Sequence, residues 1–500
     1  MNSLQNLALV ALARDDKQPA IQFDGRWRTW GDVRRVADTV RCLVESSGAH
    51  PRAPVLFIVR NLPAVLSALL GLIVAGRNIK MLYSFQSPAA MATDVSRLKP
   101  GIVVAAEQDY SAEVRAAIRE QRAAAIALVE MEAFVLPGLD RSTGELDPGA
   151  PAEPTIEIQT SGTTGPPKHF PVTYDMAVRH FVELTGLNAM VNQVDVPPPA
   201  LLYASLGNIS GLMTALPPLI SGQPIILHDR FSLEPWLDYV RTYRPMYIGL
   251  QPVAVQMLLD ADAPREDLAS LRSVITGSAP LDPKVHRAFE ARYGIPIFLS
   301  YGATEFLGTV AAMSPALRET WGEQKFGSVG RAVPGVKLRT VHPDTGEVLP
   351  FGVEGLLEVY AERIKPEWIQ TSDLALIDED GFLFLRGRVD GAIIRGGFKL
   401  LPETIERGLL RHDAVCAVAV VGVPDRRLGQ VPAAAIQIKA SARSTSLEEL
   451  QTHLRQHVPA THIPVHWRFV ENLPRTPSMK VDRRAVARLF DETKPDCAAS

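Results

Sequence analysis

Apolar positions in the first half of the chain fall into short unbroken runs, separated by stretches where they recur every three or four residues. Residues 55–59 (VLFIV), 101–106 and 155–159 have the length and β-branched content of strands, whereas residues 62–74 carry a helical pattern. Strands alternating with helices predict a wound α/β architecture around a mostly parallel sheet. The most apolar run, residues 64–76 (AVLSALLGLIVAG), lies between Arg60 and Arg77 and is shorter than the roughly 20 residues a bilayer span needs, so it reads as a buried helix. Residues 4–13 read as an ordinary surface helix, and residues 140–153, rich in Pro, Gly and acid, as an exposed loop.

The clearest unit covers residues 272–305. A strand at 272–276 leads into GSAP (277–280); Asp282 is a good N-cap with Pro283 at the first helical position; Gly294 ends the helix; a second strand at 297–299 leads into SYGATE (300–305). Two parallel strands joined by a helix place both loops at carboxyl ends of strands, where open α/β sheets bind ligands. The pattern changes near residue 386. A helix at 401–410, strands at 415–423 and 433–438, a capping box from Ser446 to Glu449 opening a helix to about His457, and a short strand at 468–470 predict a separate α+β unit. The expected division is residues 1–386, a hinge at 387–391 within the charged, glycine-flanked stretch RGRVDG, and residues 392–500.

Composition narrows the function. Of 500 residues, 46% are hydrophobic and 21% charged, as in folded globular chains. Lys+Arg 52 against Asp+Glu 55 gives 52 − 55 = −3, no basic field for nucleic acid or an anionic membrane. The first residues, MNSLQNLALVALARDD, lack the basic start, apolar core and cleavage site of a secretory signal. Cys42, Cys416 and Cys497 stand far apart without a CxxC, which argues against a disulfide framework or zinc site and fits a reducing cytoplasm.

The chemistry concentrates in residues 160–168, TSGTTGPPK, after the predicted strand at 155–159. Gly162 and Gly165 allow close backbone approach, and successive N–H groups there form an anion-binding nest. The hydroxyls of Thr160, Ser161, Thr163 and Thr164 donate to phosphate oxygens, and Lys168 adds a point charge. A Walker loop, GxxxxGK[ST], has different spacing, so a P-loop NTPase is the poorer reading.

TSGTTGPPK resembles the phosphate-loop signature of the adenylate-forming superfamily, which includes acyl- and aryl-CoA synthetases, peptide-synthetase adenylation domains and beetle luciferases. Five more segments resemble that family in order: YGATE (301–305), TSD (371–373), GRVD (387–390), GGFKLLPETIE (396–406) and PRTPSMK (474–480). The likeness spans nearly the whole chain. It implies a large N-terminal multi-layer α/β domain and a smaller, mobile C-terminal α+β domain. It also implies an acid–thiol ligase using ATP, Mg²⁺ and coenzyme A. A carboxylate attacks the α-phosphate to give acyl-AMP and pyrophosphate; a thiol then takes the acyl group.

By the same resemblance, Ser161 to Gly165 hold the β- and γ-phosphates with Thr160 and Lys168 beside them. Thr304 touches the α-phosphate and Glu305 ligates Mg²⁺. Gly277, Ser278, Ala279 and Pro280 line the adenine, Tyr301 stacks on it between Ser300 and Gly302, Asp373 accepts from the ribose hydroxyls, and Arg388 steadies ribose or phosphate. Lys480 bridges the attacking carboxylate and the α-phosphate. Asp390 is the pivot, and Gly396, Gly397 and Phe398 open a narrow channel for the pantetheine arm. Taken singly, Tyr301 reads as a core aromatic, Glu305 as a solvated loop carboxylate, Asp373 as a turn residue and Lys480 as a surface charge; their joint order carries the site.

The chain departs from the family pattern at several points. Met479 stands where glycine is usual, so a left-handed backbone there would be strained. His169 replaces a glycine, Ser372 replaces the glycine of TGD, and the stretch 355–373 is short. The acyl pocket is expected from Asn208, Tyr247, Gly249, Gln251, Ala303 and Leu307, with Tyr247, Gly249 and Gln251 alternating along one predicted strand. Asn208 and Gln251 add polar groups, which points to a medium-sized acid with a further oxygen function. An acyl carrier protein is the alternative acceptor, a non-catalytic nucleotide-binding homologue the remote alternative, and a monomer or homodimer the expected state.

Overall fold

A computed structural model of the chain describes residues 3–491, apart from 144–145, 147–148, 161–167, 184–197, 390, 396–397, 426, 440–441, 443–444 and 477–478. It is mixed α/β, with a large N-terminal domain and a smaller C-terminal one. The largest sheet runs, in spatial order, Glu132–Val135, Ala124–Val129, Ile102–Ala106, Val55–Val59, Ile79–Tyr83, Thr155–Thr160 and Lys168–Thr173. Its inner strands are parallel, as the alternation predicts, and both edge strands pair antiparallel.

Both faces of this sheet are buried, which is why its strands read as continuous apolar runs. Val55, Phe57 and Val59 face one core, under the Pro63–Val74 helix. Leu56 and Ile58 face another, under the helices Pro88–Leu98 and Ala112–Glu120. The Pro63–Val74 helix is buried over residues 63–73, and among the described residues no helix is long and apolar enough to cross a membrane. The Ser3–Leu12 helix is a surface helix, as expected, with Leu9 and Val10 exposed on its outer face. Leu4, Ala8, Ala11 and Leu12 are buried in the same core, and Gln5 Nε2 donates to Val74 O at 3.1 Å.

A second sheet orders Tyr247–Gly249, Ser273–Thr276, Ile297–Ala303, Gly308–Ala312 and Arg331–Ala332. Its first three strands are parallel, and Asp282 caps the Pro283–Tyr293 helix between two of them, with Gly294 closing it at φ +71°. A third sheet, Val336–Val341, Gly355–Ala361, Trp368–Ile377 and Leu383–Arg388, is a wholly antiparallel meander.

The C-terminal sheet is built on the long hairpin Val415–Asp425 and Gly429–Ile438. The helices Pro402–Leu410 and Leu447–Arg455 pack on one face and Arg483–Asp491 on the other. Arg483 ties the faces together, reaching Glu403 at 3.1 Å and Glu406 at 3.0 Å. Against the N-terminal domain, Lys284 Nζ donates to Arg411 O at 2.8 Å.

Close helix packing makes one glycine indispensable. A Cβ on Gly71 would lie 2.3 Å from the Ala37 carbonyl oxygen of the Trp30–Ser46 helix. Alanine would gain about 1 kcal/mol of helix propensity, but separating two packed helices costs more. Gly71→Ala is expected to destabilise the fold by about 1–3 kcal/mol in urea unfolding, despite the better helix former.

Candidate active site

The strand that carries YGATE runs four residues beyond its predicted end at 299, through Ala303. The reason is tertiary. Gly308–Ala312 folds back antiparallel and pairs with Ser300 to Ala303, so a segment that reads as a loop becomes a strand. The reversal needs its glycines: a Cβ on Gly302 would meet Gly308 O at 2.1 Å, and Gly308 itself has φ +109° after Leu307 at φ +53°. Buried Phe306 anchors the turn Thr304–Phe306, leaving Glu305 exposed at the tip with no ion pair among the described residues. Beside it, Gly277 lies so close to Ser300 that a Cβ would be 2.7 Å from Ser300 Oγ. Ser278 takes φ +67°, and Ser278, Ala279 and Pro280 are exposed at the carboxyl end of their strand.

Tyr301 is buried, and its hydroxyl donates to Asp373 Oδ2 at 2.5 Å. Burial, then the Asp373 charge, pushes the phenol far above its ordinary pKa, so it stays a donor. Asp373 lies mid-strand rather than in a turn, directly opposite Arg388 in the meander. Its backbone N–H donates to Thr371 Oγ1 at 3.0 Å, and Arg388 reaches both Asp373 Oδ1 at 3.5 Å and Ser372 Oγ at 2.5 Å. Serine in place of the usual glycine thus gives Arg388 a second anchor.

Lys480 enters this cleft from the C-terminal domain. Its side chain keeps solvent access, yet the surrounding protein, then Arg388, draws its ammonium pKa below the ordinary lysine value; Glu305 and Asp373 pull the other way. Tyr301, Glu305, Asp373, Arg388 and Lys480 therefore converge from two domains. The lysine's turn is closed by Thr476 N–H to Lys480 O at 2.7 Å and Met479 N–H to Thr476 O at 2.8 Å, with Arg475 Nη1 on Met479 O at 3.0 Å. Met479 adopts φ +62°, the left-handed conformation expected of a position where glycine is usual.

Ser161, Gly162, Thr163, Thr164, Gly165, Asp390, Gly396 and Gly397 lie outside the described residues. The loop's two feet are fixed, because Thr160 pairs with Lys168 across the strands Thr155–Thr160 and Lys168–Thr173. Phe398 opens the strand Phe398–Leu400, paired with Ile393–Arg395. Next to Lys168, the His169 ring is inward, opposite the buried Gln159 amide, and neither makes a hydrogen bond among the described residues. Burial, then the Lys80 and Arg97 charges, lowers the His169 pKa to about 4, so it is neutral at ordinary pH.

The acyl-pocket expectations divide. Asn208 is a helix cap: its Oδ1 accepts from Gly211 N–H at 2.8 Å, starting the Ile209–Ser221 helix. Tyr247 and Gly249 share an exposed strand face, but Gln251 is not on that strand. The strand stops at Gly249, and Gln251 becomes the N-cap residue of the Pro252–Asp260 helix because Pro252 opens it. Gln251 Oε1 is buried without a donor among the described residues. Leu307 is buried and Ala303 half-buried, and Met213 packs against Gly308. Two residues outside the sequence reading contact these segments: Tyr203, whose hydroxyl donates to Gly249 O at 2.8 Å, and Arg363, which holds Thr309 O at 2.7 Å. Neither stands in a motif; only folding brings them here.

The AMP-binding enzyme family model matches residues 10–362, and that of the AMP-binding enzyme C-terminal domain matches residues 404–480. The chain belongs to the AMP-binding enzyme family. It is an AMP-forming acid–thiol ligase, activating a carboxylic acid as its adenylate and transferring the acyl group to a thiol. A sulfoacetate–CoA ligase of Cupriavidus necator is 32% identical over 400 residues, covering 75% of each chain. A 2-succinylbenzoate–CoA ligase of Bacillus pumilus is 30% identical over 342 residues, covering 66% of this chain and 68% of its own. In fold, the chain is similar to ATP-bound MatB from Rhodopseudomonas palustris, with TM-score 0.78 and 23% identity over 98% of this chain and 99% of that one.

Met479 holds a backbone conformation that costs a non-glycine residue about 1–2 kcal/mol. Met479→Gly is expected to raise stability by about 1 kcal/mol in denaturant unfolding, since the added unfolded-state freedom offsets only part of the relief.

Proposed function

We propose that this enzyme couples a medium-sized carboxylic acid bearing a further oxygen function to coenzyme A, at the expense of ATP. The convergence of Lys480 with Glu305, Asp373 and Arg388 carries this reading. Two carboxylates and two cations meet in an accessible cleft, one of the carboxylates, Asp373, being fixed by Tyr301, an arrangement suited to an anionic nucleotide with ribose hydroxyls. Both relatives are named for acids that carry an additional anionic or carbonyl oxygen function, and Gln251 supplies a buried acceptor without a donor among the described residues.

In adenylation, Lys480 sits between the attacking carboxylate and the α-phosphate, where its charge balances the negative charge that accumulates. Arg388 and Thr304 hold the nucleotide in line. Asp373 accepts from the ribose with its position fixed by Tyr301. Glu305, exposed and without an ion pair among the described residues, suits Mg²⁺, which takes one or two carboxylates alongside substrate phosphates. Bound there, the ion would screen phosphate charge. The Lys480 loop then leaves by rotation at Asp390 and the Gly396–Gly397 loop takes its place, admitting the pantetheine thiol. The free thiols of Cys42 and Cys416 fit a cytoplasmic setting.

Lys480→Ala is expected to reduce pyrophosphate release roughly a hundred- to a thousandfold, while thioester formation from supplied acyl-adenylate survives. Equal loss of both half-reactions contradicts the two-conformation mechanism. In the unmodified enzyme, the alkaline limb of kcat/KM for adenylation should fall below the ordinary lysine value of about 10.4, because the free-enzyme ammonium is already destabilised. Gln251→Leu should narrow the preference for oxygenated over plain acids by about tenfold, read as a ratio of kcat/KM from acyl-CoA mass spectrometry. An unchanged ratio removes Gln251 from the pocket.

A further inference from the structure

Arg363 lies two residues past the strand Gly355–Ala361, in the short connection to Trp368–Ile377. Its guanidinium turns toward the turn that follows YGATE, where Nη2 donates to Thr309 O at 2.7 Å and, more weakly, to Phe306 O at 3.4 Å. Nε is buried and has no acceptor among the described residues. No acidic side chain forms an ion pair with Arg363 among the described residues, and burial alone accounts for its lowered pKa.

Several half-buried cations in this protein are paired with acids, whereas Arg407 and Arg475 form no ion pair among the described residues and hold the carbonyls of Arg386 and Met479. Arg60 meets Asp109 at 2.6 Å, Lys325 meets Asp378 at 2.8 Å and Arg339 meets Glu358 at 2.7 Å. Arg77 also lacks an acid, but it braces a core junction through the carbonyls of His50 and Ala53, away from the site. Arg363 differs in its location. The backbone it grips is the turn containing buried Leu307 and Gly308, with Met213 packed against Gly308, the wall expected to face the acyl group.

We propose that Arg363 is a specificity-determining residue that receives a second anionic group of the acid, a carboxylate or sulfonate, at the end remote from the carboxylate being activated. The inference rests on the ligase reading above. A guanidinium withdrawn from water without a counter-charge is costly, and a dianionic substrate supplies that charge through short charge-assisted hydrogen bonds. A plain alkanoate leaves the cation unpaired, so the site rejects it. The carbonyls of Phe306 and Thr309 hold the planar fork in place beforehand, which limits the entropy lost on binding.

The test uses the full chain with ATP, Mg²⁺ and CoA, and matched acids: butyrate, succinate and 3-sulfopropionate, with shorter and longer members of each series. Pyrophosphate release and acyl-CoA mass spectrometry give kcat/KM. The wild type should favour a dianionic acid over its plain counterpart by roughly a hundredfold or more; preference for succinate identifies a carboxylate partner, and preference for 3-sulfopropionate a sulfonate. Arg363→Met should lower the dianionic-to-plain ratio by about a hundredfold, mainly through KM, and Arg363→Lys should restore part of it. A wild type that takes butyrate as readily as the dianions overturns the proposal. So does an Arg363→Met enzyme that is folded by thermal melt but loses both acid classes equally, since Arg363 then only clamps the 306–309 turn. No adenylate from any acid overturns the ligase reading as well, an outcome distinct from both.

Discussion

The hydrogen bond from Tyr301 to Asp373 joins two separately built sheets. Tyr301 comes from a strand whose parallel neighbours are Ser273–Thr276 and, beyond it, Tyr247–Gly249; Asp373 comes from the antiparallel meander. Neither sheet alone makes a nucleotide site. Buried Tyr301 cannot ionise, so the bond has a fixed direction, and the aspartate is held with one oxygen toward the phenol and the other toward Arg388. Every other group in the cleft is placed relative to this junction. Glu305 follows Tyr301 by one tight turn, Arg388 lies opposite Asp373 in register, and Lys480 arrives over both.

Charge is left unbalanced where Lys480 meets the N-terminal cleft. Lys480 comes close to Arg388, an unfavourable meeting of two cations, and is offset only partly by Glu305 and Asp373. On the proposed function, an anionic nucleotide between them would relieve that tension. Arg363 follows the same logic at the other end of the expected substrate path: a cation left without its counter-charge in the protein is a place for a charge to arrive.

Local backbone strain marks the same cleft. Met479, Leu307 and Ser278 all hold positive φ without being glycine, and all lie on segments that present groups to it. Each is held by surrounding pairing rather than by its own preference. Met479 is fixed by the Thr476 and Arg475 bonds around it, and Leu307 by the strand reversal that follows. Such positions persist only where neighbouring structure over-determines them.

Much was legible without coordinates. Continuous apolar runs marked the central strands, Asp282 and Gly294 marked a helix's ends, and six ordered motifs named the chemistry, because caps, periodicity and phosphate loops are local in sequence. What the chain alone misjudged depended on distant pairing. Ser300 to Ala303 became strand only because Gly308–Ala312 folds onto them. Gln251 left its expected strand for a helix cap, and the Asn208 side chain starts the Ile209–Ser221 helix. Arg363 belongs to no motif, and its unpaired guanidinium emerges only when a connection between two meander strands is laid against a turn more than fifty positions earlier. Sequence determined which groups the protein owns and the reaction they serve. Tertiary structure decided which of them lack a partner, because a missing counter-charge is a property of everything packed around a residue and of nothing beside it in the chain.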